Sequence, residues 1–251
     1  MSLRNPRLVT VGVLAAVFST WELAARTGAI SKLFFPAPTR IARALGDDLV
    51  SGDLLAEAAR TLGRAGSGFL IGATIGLVLG FGMGRSVGVR AAIDPFVALL
   101  HPIPKIALFP LALLVFGLGQ TPFVVVISLA AFFPMVIATM AGVRNLDPIY
   151  FDVAEVYGAD RVTVARQILV PGTLPVALAG GRLALNSALV STIAVEIVMP
   201  NSGLGALVWL GWETLATTKL YEGLIMISTI GLLMNGLIGW LQRRYVPWEL
   251  A

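Results

Sequence analysis

Six long apolar stretches occupy most of this 251-residue sequence and restrict its possible folds more than any other feature. A helix needs about 20 apolar residues to cross a bilayer, and each stretch is near that length. Only 13% of the residues are charged, which leaves little sequence for a separate soluble domain. We therefore expect an all-α polytopic membrane protein with a single membrane domain over residues 1–251. The predicted spans are Val9–Ala25, Gly66–Gly84, Ile93–Leu118, Pro122–Gly142, Leu174–Met199 and Leu220–Leu241.

Basic residues near the span ends predict the orientation, because cytoplasmic loops are enriched in Lys and Arg. With the N-terminus inside, the arginines that fall on the cytoplasmic side are Arg85, Arg90, Arg144, Arg161, Arg166, Arg243 and Arg244. Both termini are then cytoplasmic. The segment from Arg26 to Arg64 is discordant, since it carries six basic residues on the outer side, and Thr39–Leu62 within it resembles an amphipathic surface helix. The net charge of +4 follows from these loops and does not predict nucleic-acid binding.

Few residues are available for catalysis or metal binding. The chain has no cysteine and one histidine, His101, which argues against disulfides, thiol catalysis and Cys/His metal sites. It also has no Gly-x-x-x-x-Gly-Lys-Ser/Thr phosphate loop and no Gly-Lys pair. We expect no enzymatic activity, no metal and no cofactor on this chain, so that any ATP must be bound by another polypeptide.

Two spans carry patterns of small residues that predict close helix packing. The second has glycine at every fourth position, Gly68, Gly72, Gly76, Gly80 and Gly84, which suits either packing within the chain or a dimer seam. The fifth has the row Gly180, Ala184, Ala188 and Thr192, and the same spacing reaches Glu196. A small-residue face points into a bundle, so Glu196 is expected to do so too. Because Pro200 follows closely and a charge is cheaper at the interface, we expect Glu196 near the interface.

The third span is interrupted by Pro102, Pro104 and Pro110, with His101 and Lys105 among them. Each proline removes a backbone donor, and the freed groups at membrane depth are tolerated where protein or a water-filled cavity satisfies them. One interpretation is a segment that lines a translocation pathway. The other is a kinked structural helix whose Lys105 extends to an interface.

A polar stretch between the fourth and fifth spans, at about residues 145–171, reads as helix, glycine corner and helix. Pro148 suits a first helical turn, Gly158 a left-handed end, and Asp160 the cap of the next helix, which Pro171 limits. Such a cytoplasmic knob is suited to docking into a soluble partner, with its alanines allowing close approach. An amphipathic helix on the membrane surface is the alternative, but the stretch lacks a Lys/Arg-rich face.

This loop resembles the one found in inner-membrane components of binding-protein-dependent ABC importers, which carry Glu-Ala-Ala, a later Gly and Ile-x-Leu-Pro. The matching positions are Asp152, Val153, Ala154, Gly158, Ile168, Val170 and Pro171, with Asp, Val and Val replacing the usual Glu, Ala and Leu. Phe35–Thr39, Pro110–Gly119, Phe132–Pro134 and Asn201–Gly205 are similar to the nitrate, sulfonate, taurine and bicarbonate branch.

The resemblance implies a permease subunit that pairs with a second copy of itself in the bacterial inner membrane. It also implies two ATP-binding subunits, which hold ATP and Mg, and an extracytoplasmic substrate-binding protein. The ATPase-coupling residues it implies are Asp152, Val153, Ala154, Glu155, Gly158, Ala159, Arg161, Ile168 and Pro171.

The transported solute is expected to be small, with a sulfonate or taurine-like anion ranked first and nitrate, bicarbonate or a vitamin precursor after it. Candidate pathway residues are Lys105, His101, Arg182, Asn186 and Glu196, with Ser187 beside them. Arg182 and Asn186 equally suit a role in holding the fifth span against its neighbours. A secondary transporter or channel not coupled to ATP is the competing class, although no repeat relates the two halves of the sequence.

Overall fold

The computed structural model describes residues 6–246, and every regular element in that range is helical. The helices are α1 Pro6–Thr27, α2 Pro38–Ser51, α3 Asp53–Arg85, α4 Val87–Leu100, α5 Phe109–Phe116, α6 Thr121–Arg144, α7 Ile149–Val156, α8 Arg161–Val164, α9 Val170–Val198, α10 Leu204–Glu213 and α11 Thr217–Tyr245. A 3₁₀ turn, Lys105–Leu108, precedes α5, and a π-helical turn, Ala165–Leu169, joins α8 to α9. The two chain ends, expected in the cytoplasm, lie outside the described residues.

Five helices in the described range are long and apolar enough to span a membrane, namely Leu8–Thr27, Asp53–Arg85, Thr121–Arg144, Arg161–Val198 and Thr217–Tyr245. The all-helical, multi-span prediction is confirmed. The interruption expected in the third span, Ile93–Leu118, is also confirmed, because α4 and the helical stretch Lys105–Phe116 meet at 92°. The break falls at Pro102 and Pro104, where two backbone donors are missing.

Two predicted boundaries are wrong. Thr39–Leu62 is not one surface helix, because Gly52 adopts φ +86° and ends α2 there, and the residues after it begin α3. Pro171 does not end the helix that follows Asp160. The π-helical turn just before it widens the helix, and Val170 N–H bonds to Ala165 O across that turn, so the missing donor of Pro171 is accommodated and the helix runs on into α9.

The chain divides into two compact units, and the expectation of a single membrane domain stays a prediction. The first unit comprises the chain up to Arg60 together with Glu196–Ser228. In it, Glu22 of α1 accepts hydrogen bonds from the backbone N–H of Thr39, at 3.0 Å, and from its hydroxyl, at 2.8 Å, which ties α1 to the start of α2. Lys219 of α11 pairs with Asp48 of α2.

The second unit comprises Thr61–Val195 together with the chain from Thr229 on. Its core includes Met83, Val97, Phe133 and Val136, from α3, α4 and α6. The glycine ladder of α3 packs along α6 for five turns. A Cβ on Gly76 would stand 2.7 Å from Phe132 O, and one on Gly80 would stand 2.7 Å from Val136 O. Of the two interpretations of the ladder, the structure therefore shows packing within the chain.

Candidate functional site

The connection between α6 and α9 forms the predicted knob. Asp147 Oδ1 accepts a 3.0 Å hydrogen bond from Ile149 N at the start of α7, and Gly158 adopts φ +66° just after its end. Asp160 Oδ1 accepts a 2.9 Å bond from Thr163 N and so caps α8. These bonds from Thr163 hold the pKa of the Asp160 carboxyl below its usual range, so the cap is ionised at neutral pH. The corner at Gly158 needs glycine for its conformation rather than for space, since nothing lies within 4 Å of an added Cβ.

The outer surface of the knob is apolar. Val156 and Tyr157 are each 84% exposed, and Tyr150, Val153 and Val162 are exposed beside them. In a connection expected to lie in water, such a surface indicates a protein-docking face. We call these five residues the knob patch. None of them except Val153 was named as a coupling residue from the sequence, although valines and tyrosines in an otherwise polar loop were a usable signal.

The residues implied by the resemblance are distributed around this corner. Those exposed are Asp152, Val153, Glu155, Gly158 and Arg161, while Ala159, Ile168 and Pro171 are half-buried. Ala154 is buried, and its carbonyl accepts a 2.8 Å bond from Ala159 N. The expectation that Ala154 offers its surface to a partner is therefore wrong, because its side chain lies on the inner face of α7. The coupling roles themselves stay predictions.

Lys105 lies at the 92° break, and its side chain bonds to the backbone there. Its ammonium group donates to the carbonyl oxygens of Leu100, at 3.1 Å, His101, at 2.7 Å, and Ile103, at 2.7 Å. It also lies 4.4 Å from the centre of the Phe133 ring. The break leaves these carbonyls short of helical donors, although Leu100 O still accepts from Ile103 N at 3.3 Å, and a single cation bonds to all three. The structure therefore shows a local structural role for Lys105, and its depth in the membrane stays a prediction.

The break borders a cavity of about 450 Å³. Its polar lining consists of His101 and Lys105 from the break and Asn186, Ser187 and Ser191 from α9, and Phe133 and Pro134 of α6 close one side. The structure thus brings together three of the five predicted pathway residues, His101, Lys105 and Asn186. Ser191 was missed, although it follows Ser187 at helical spacing. Hydroxyl, amide and cationic donors in a small apolar-walled cavity are suited to holding a small polar or anionic solute.

Arg182 and Glu196 do not line this cavity. Arg182 Nε donates to Asn235 Oδ1 of α11 at 3.0 Å, and Asn235 Nδ2 donates to Asn186 Oδ1 at 2.9 Å. Asn235 therefore links the two α9 residues to the last span, as one of the two interpretations of Arg182 and Asn186 expected. The sequence analysis missed Asn235, although a lone asparagine within an apolar span is a recognisable signal.

Glu196 belongs to the first unit, and its side chain is fully buried. Its Oε2 accepts a 3.0 Å bond from Gly205 N, in the first turn of α10. Glu57 accepts from Gly203 N, two residues earlier in the chain. Because unpaired N–H groups at a helix start favour negative charge, both carboxylates stabilise the start of α10. The expected inward orientation is confirmed, and an interfacial depth stays a prediction.

Comparison with known proteins gives consistent matches. A sequence profile described as "binding-protein-dependent transport system inner membrane component" matches residues 72–247. The taurine transport system permease protein TauC of Escherichia coli (strain K12) is 31% identical over 96% of this chain and 90% of the relative. The nitrate import permease protein NrtB of Leptolyngbya laminosa is 30% identical over 77% of this chain and 69% of the relative. The inward-facing MetNI methionine ABC transporter shares the fold, with a TM-score of 0.61 at 17% identity over 79% of this chain and 96% of that chain.

Proposed function

This chain belongs to the family of binding-protein-dependent transport system inner membrane components, as the permease subunit of an ABC importer, and we propose that it imports a small sulfonate-type anion as a homodimer driven by two ATP-binding subunits. The observation that carries the proposal is the cavity at the α4–α5 break, where His101, Lys105, Asn186 and two serines converge. The alternative function is a secondary transporter, which would move its solute without ATP.

The solute class rests on the chemistry of this cavity and on the names of the relatives. A taurine permease and a nitrate permease are among the relatives, and both names refer to solutes that carry an anionic group. The Lys105 ammonium faces three carbonyl oxygens, so its charge is partly balanced and it would hold an anion weakly. Weak holding suits transport, because a bound solute must also leave. Nitrate, bicarbonate and a vitamin precursor rank after a sulfonate.

Coupling to ATP is assigned to the knob. The knob patch gives a soluble partner an apolar contact, and Asp152, Glu155 and Arg161 supply charged contacts around it. The knob is directly continuous with the helix that ends beside the cavity, because α8, the π-helical turn and α9 form one path from Arg161 to Val198. Movement of an ATP-binding subunit would therefore be transmitted to Asn186, Ser187 and Ser191 through a single helix. ATP and Mg²⁺ would be held by that partner and not by this chain.

The remaining assignments concern orientation and delivery. The arginines near the span ends favour cytoplasmic placement of the knob and of both termini in the bacterial inner membrane. An extracytoplasmic binding protein would then deliver the solute to the opposite face. The binding protein, rather than the permease, would determine most of the selectivity for the solute.

The experiment that tests the proposal has two stages. Affinity purification of the chain from mild detergent should recover a second copy and two copies of an ATP-binding subunit. The complex, reconstituted in liposomes with its binding protein, should then take up radiolabelled taurine only with ATP on the cytoplasmic side. Recovery of the chain without an ATPase, together with ATP-independent uptake, would support a secondary transporter. ATP-dependent uptake of another solute would retain the importer and overturn the sulfonate assignment.

A further inference from the structure

A second open space in the same unit, which we call the α9–α11 groove, is separate from the cavity at the break. Its volume is about 650 Å³. The residues that matter for its chemistry are Arg182 of α9 and Asn235, Gly236, Gly239, Gln242 and Arg243 of α11. None of them takes part in the cavity or in the knob, so the groove has no role in the function proposed above.

The spacing along α11 gives the groove its shape. Asn235, Gly239 and Arg243 are four residues apart and lie on one face of the helix, so Asn235 and Arg243 are separated by about 12 Å along its axis. Gly236 and Gly239 form the floor. A Cβ added to Gly236 would meet nothing within 4 Å, and one added to Gly239 would meet only Arg243 Nη1, at 4.0 Å. The floor is therefore open space bordered by two arginines rather than a packed helix contact.

The charge of the groove is positive, from Arg182 and Arg243. Arg182 directs its Nε to the amide oxygen of Asn235, which fixes the plane of the guanidinium. In the part of the chain that the structure describes, no carboxylate lines the groove, and neither Arg182 nor Arg243 forms a salt bridge. Both arginines are exposed, and an arginine that faces a membrane is costly unless an anion or water meets it. Guanidinium groups bind phosphate oxygens in a bidentate geometry, which makes phosphate a well-matched ligand.

The surroundings favour a phosphate carried by a lipid over a free one. Leu232 lines the groove beside Gly236 and is 76% exposed, so an apolar surface continues from the polar part of the groove. Arg243 and Arg244 end the last span on the side that the charge pattern predicts to be cytoplasmic, where the leaflet is rich in anionic lipid. A free anion would use the two arginines and leave Leu232 exposed, whereas a phospholipid would use both.

We propose that the α9–α11 groove binds an anionic phospholipid of the cytoplasmic leaflet, with its phosphate between Arg182 and Arg243 and an acyl chain along Leu232. Such a lipid would lie against the helix that leads from the knob to the cavity. The lipid would therefore be a structural component of the importer, and the sequence of this subunit would specify its binding site.

Native mass spectrometry of the complete purified importer tests the proposal. The protein is stripped of lipid in detergent and titrated with phosphatidylglycerol or, as the zwitterionic probe, phosphatidylcholine. The wild type should bind phosphatidylglycerol about tenfold more tightly than phosphatidylcholine, and Arg243→Gln should remove most of that preference. Arg243→Lys keeps the charge but loses the bidentate geometry of the guanidinium group, and it should give an intermediate affinity for phosphatidylglycerol.

Arg244→Gln is the matched control, because it removes the same charge from the adjacent exposed residue, which does not line the groove. It should change phosphatidylglycerol affinity by less than about twofold. Equal losses in Arg243→Gln and Arg244→Gln would overturn the site, as would equal binding of the two lipids by the wild type. Displacement of phosphatidylglycerol by excess inorganic phosphate or taurine would assign the groove to a soluble anion and overturn the lipid assignment. Because Arg243 lies in the last turn of α11, its variants are expected to fold, which a thermal unfolding scan of each variant checks.

Discussion

The ammonium group of Lys105 lies 4.4 Å from the centre of the Phe133 ring, while three backbone carbonyls of the α4–α5 break accept its hydrogen bonds. A cation between a ring face and three carbonyl dipoles is stabilised without any carboxylate. The same residue thus closes the break and borders the cavity, so a structural role and the proposed transport role meet in one side chain.

Substitution of Lys105 should separate these two roles. Lys105→Met removes the cation, takes one hydrogen bond from each of three carbonyls and should destabilise the protein by about 2 kcal/mol. Lys105→Arg keeps the charge and should retain most of the stability. Thermal unfolding of the purified protein and ATP-driven uptake measured on the same preparations check this. Full stability of Lys105→Met would contradict the assigned role at the break.

Two glycines of α3, one in the glycine ladder and one outside it, allow a matched pair of variants on one helix. Gly80→Ala places a methyl group 2.7 Å from Val136 O and should push α3 from α6 at a cost of about 1–3 kcal/mol. Gly66→Ala, on the same helix, meets nothing within 4 Å and should be neutral or slightly stabilising. Denaturant titration of both variants provides the comparison. Equal stability of the two would mean that the close approach of α3 and α6 is not needed.

Two glycines with positive φ, of which one lies in the turn before α10, give a second pair of variants to compare. Gly203 has φ +102° and a Cβ there would overlap the Glu196 carboxylate, whereas Gly52 has φ +86° and open space around it. Gly52→Ala should therefore cost only the conformational strain, about 1–2 kcal/mol, and Gly203→Ala should cost more. Glu196→Gln should lie between them, because it weakens the bond from Gly205 N while keeping its shape. The order of the three unfolding midpoints is the measurement, and a milder effect of Gly203→Ala than of Gly52→Ala would refute it.

The knob patch predicts loss of the ATPase rather than loss of the fold. Val156→Glu puts a charge in the middle of the apolar patch and should reduce co-purified ATPase about tenfold, with the unfolding midpoint unchanged. Val50→Glu is the control, since Val50 is 90% exposed on another short helix outside the predicted spans. Quantitative mass spectrometry of the purified complexes gives the stoichiometry. Normal recovery of the ATPase with Val156→Glu would exclude the patch as its docking surface.

Several local features were predictable because each depends on few neighbouring residues. Gly158 and Asp160 form their corner and cap through contacts within five residues, so the spacing in the sequence was sufficient. The π-helical turn was not predictable, because it depends on how the whole helix accommodates Pro171. The burial of Ala154 was not predictable for a similar reason, since a helix of eight residues gives little periodicity from which to choose a buried face.

The sequence by itself determined that the protein lies in a membrane, how many long apolar segments it has, where the knob is and which family it belongs to. These features depend on composition and on spacing along the chain. Only the tertiary structure decided which polar residues meet. It separated Arg182 from the cavity that holds His101, Lys105 and Asn186, although Arg182 and Asn186 are one turn apart. It also turned Lys105 toward backbone carbonyls. Partners at long sequence separation are chosen by the packing of helices, and a membrane-spanning sequence, apolar on nearly every face, carries little information about that packing.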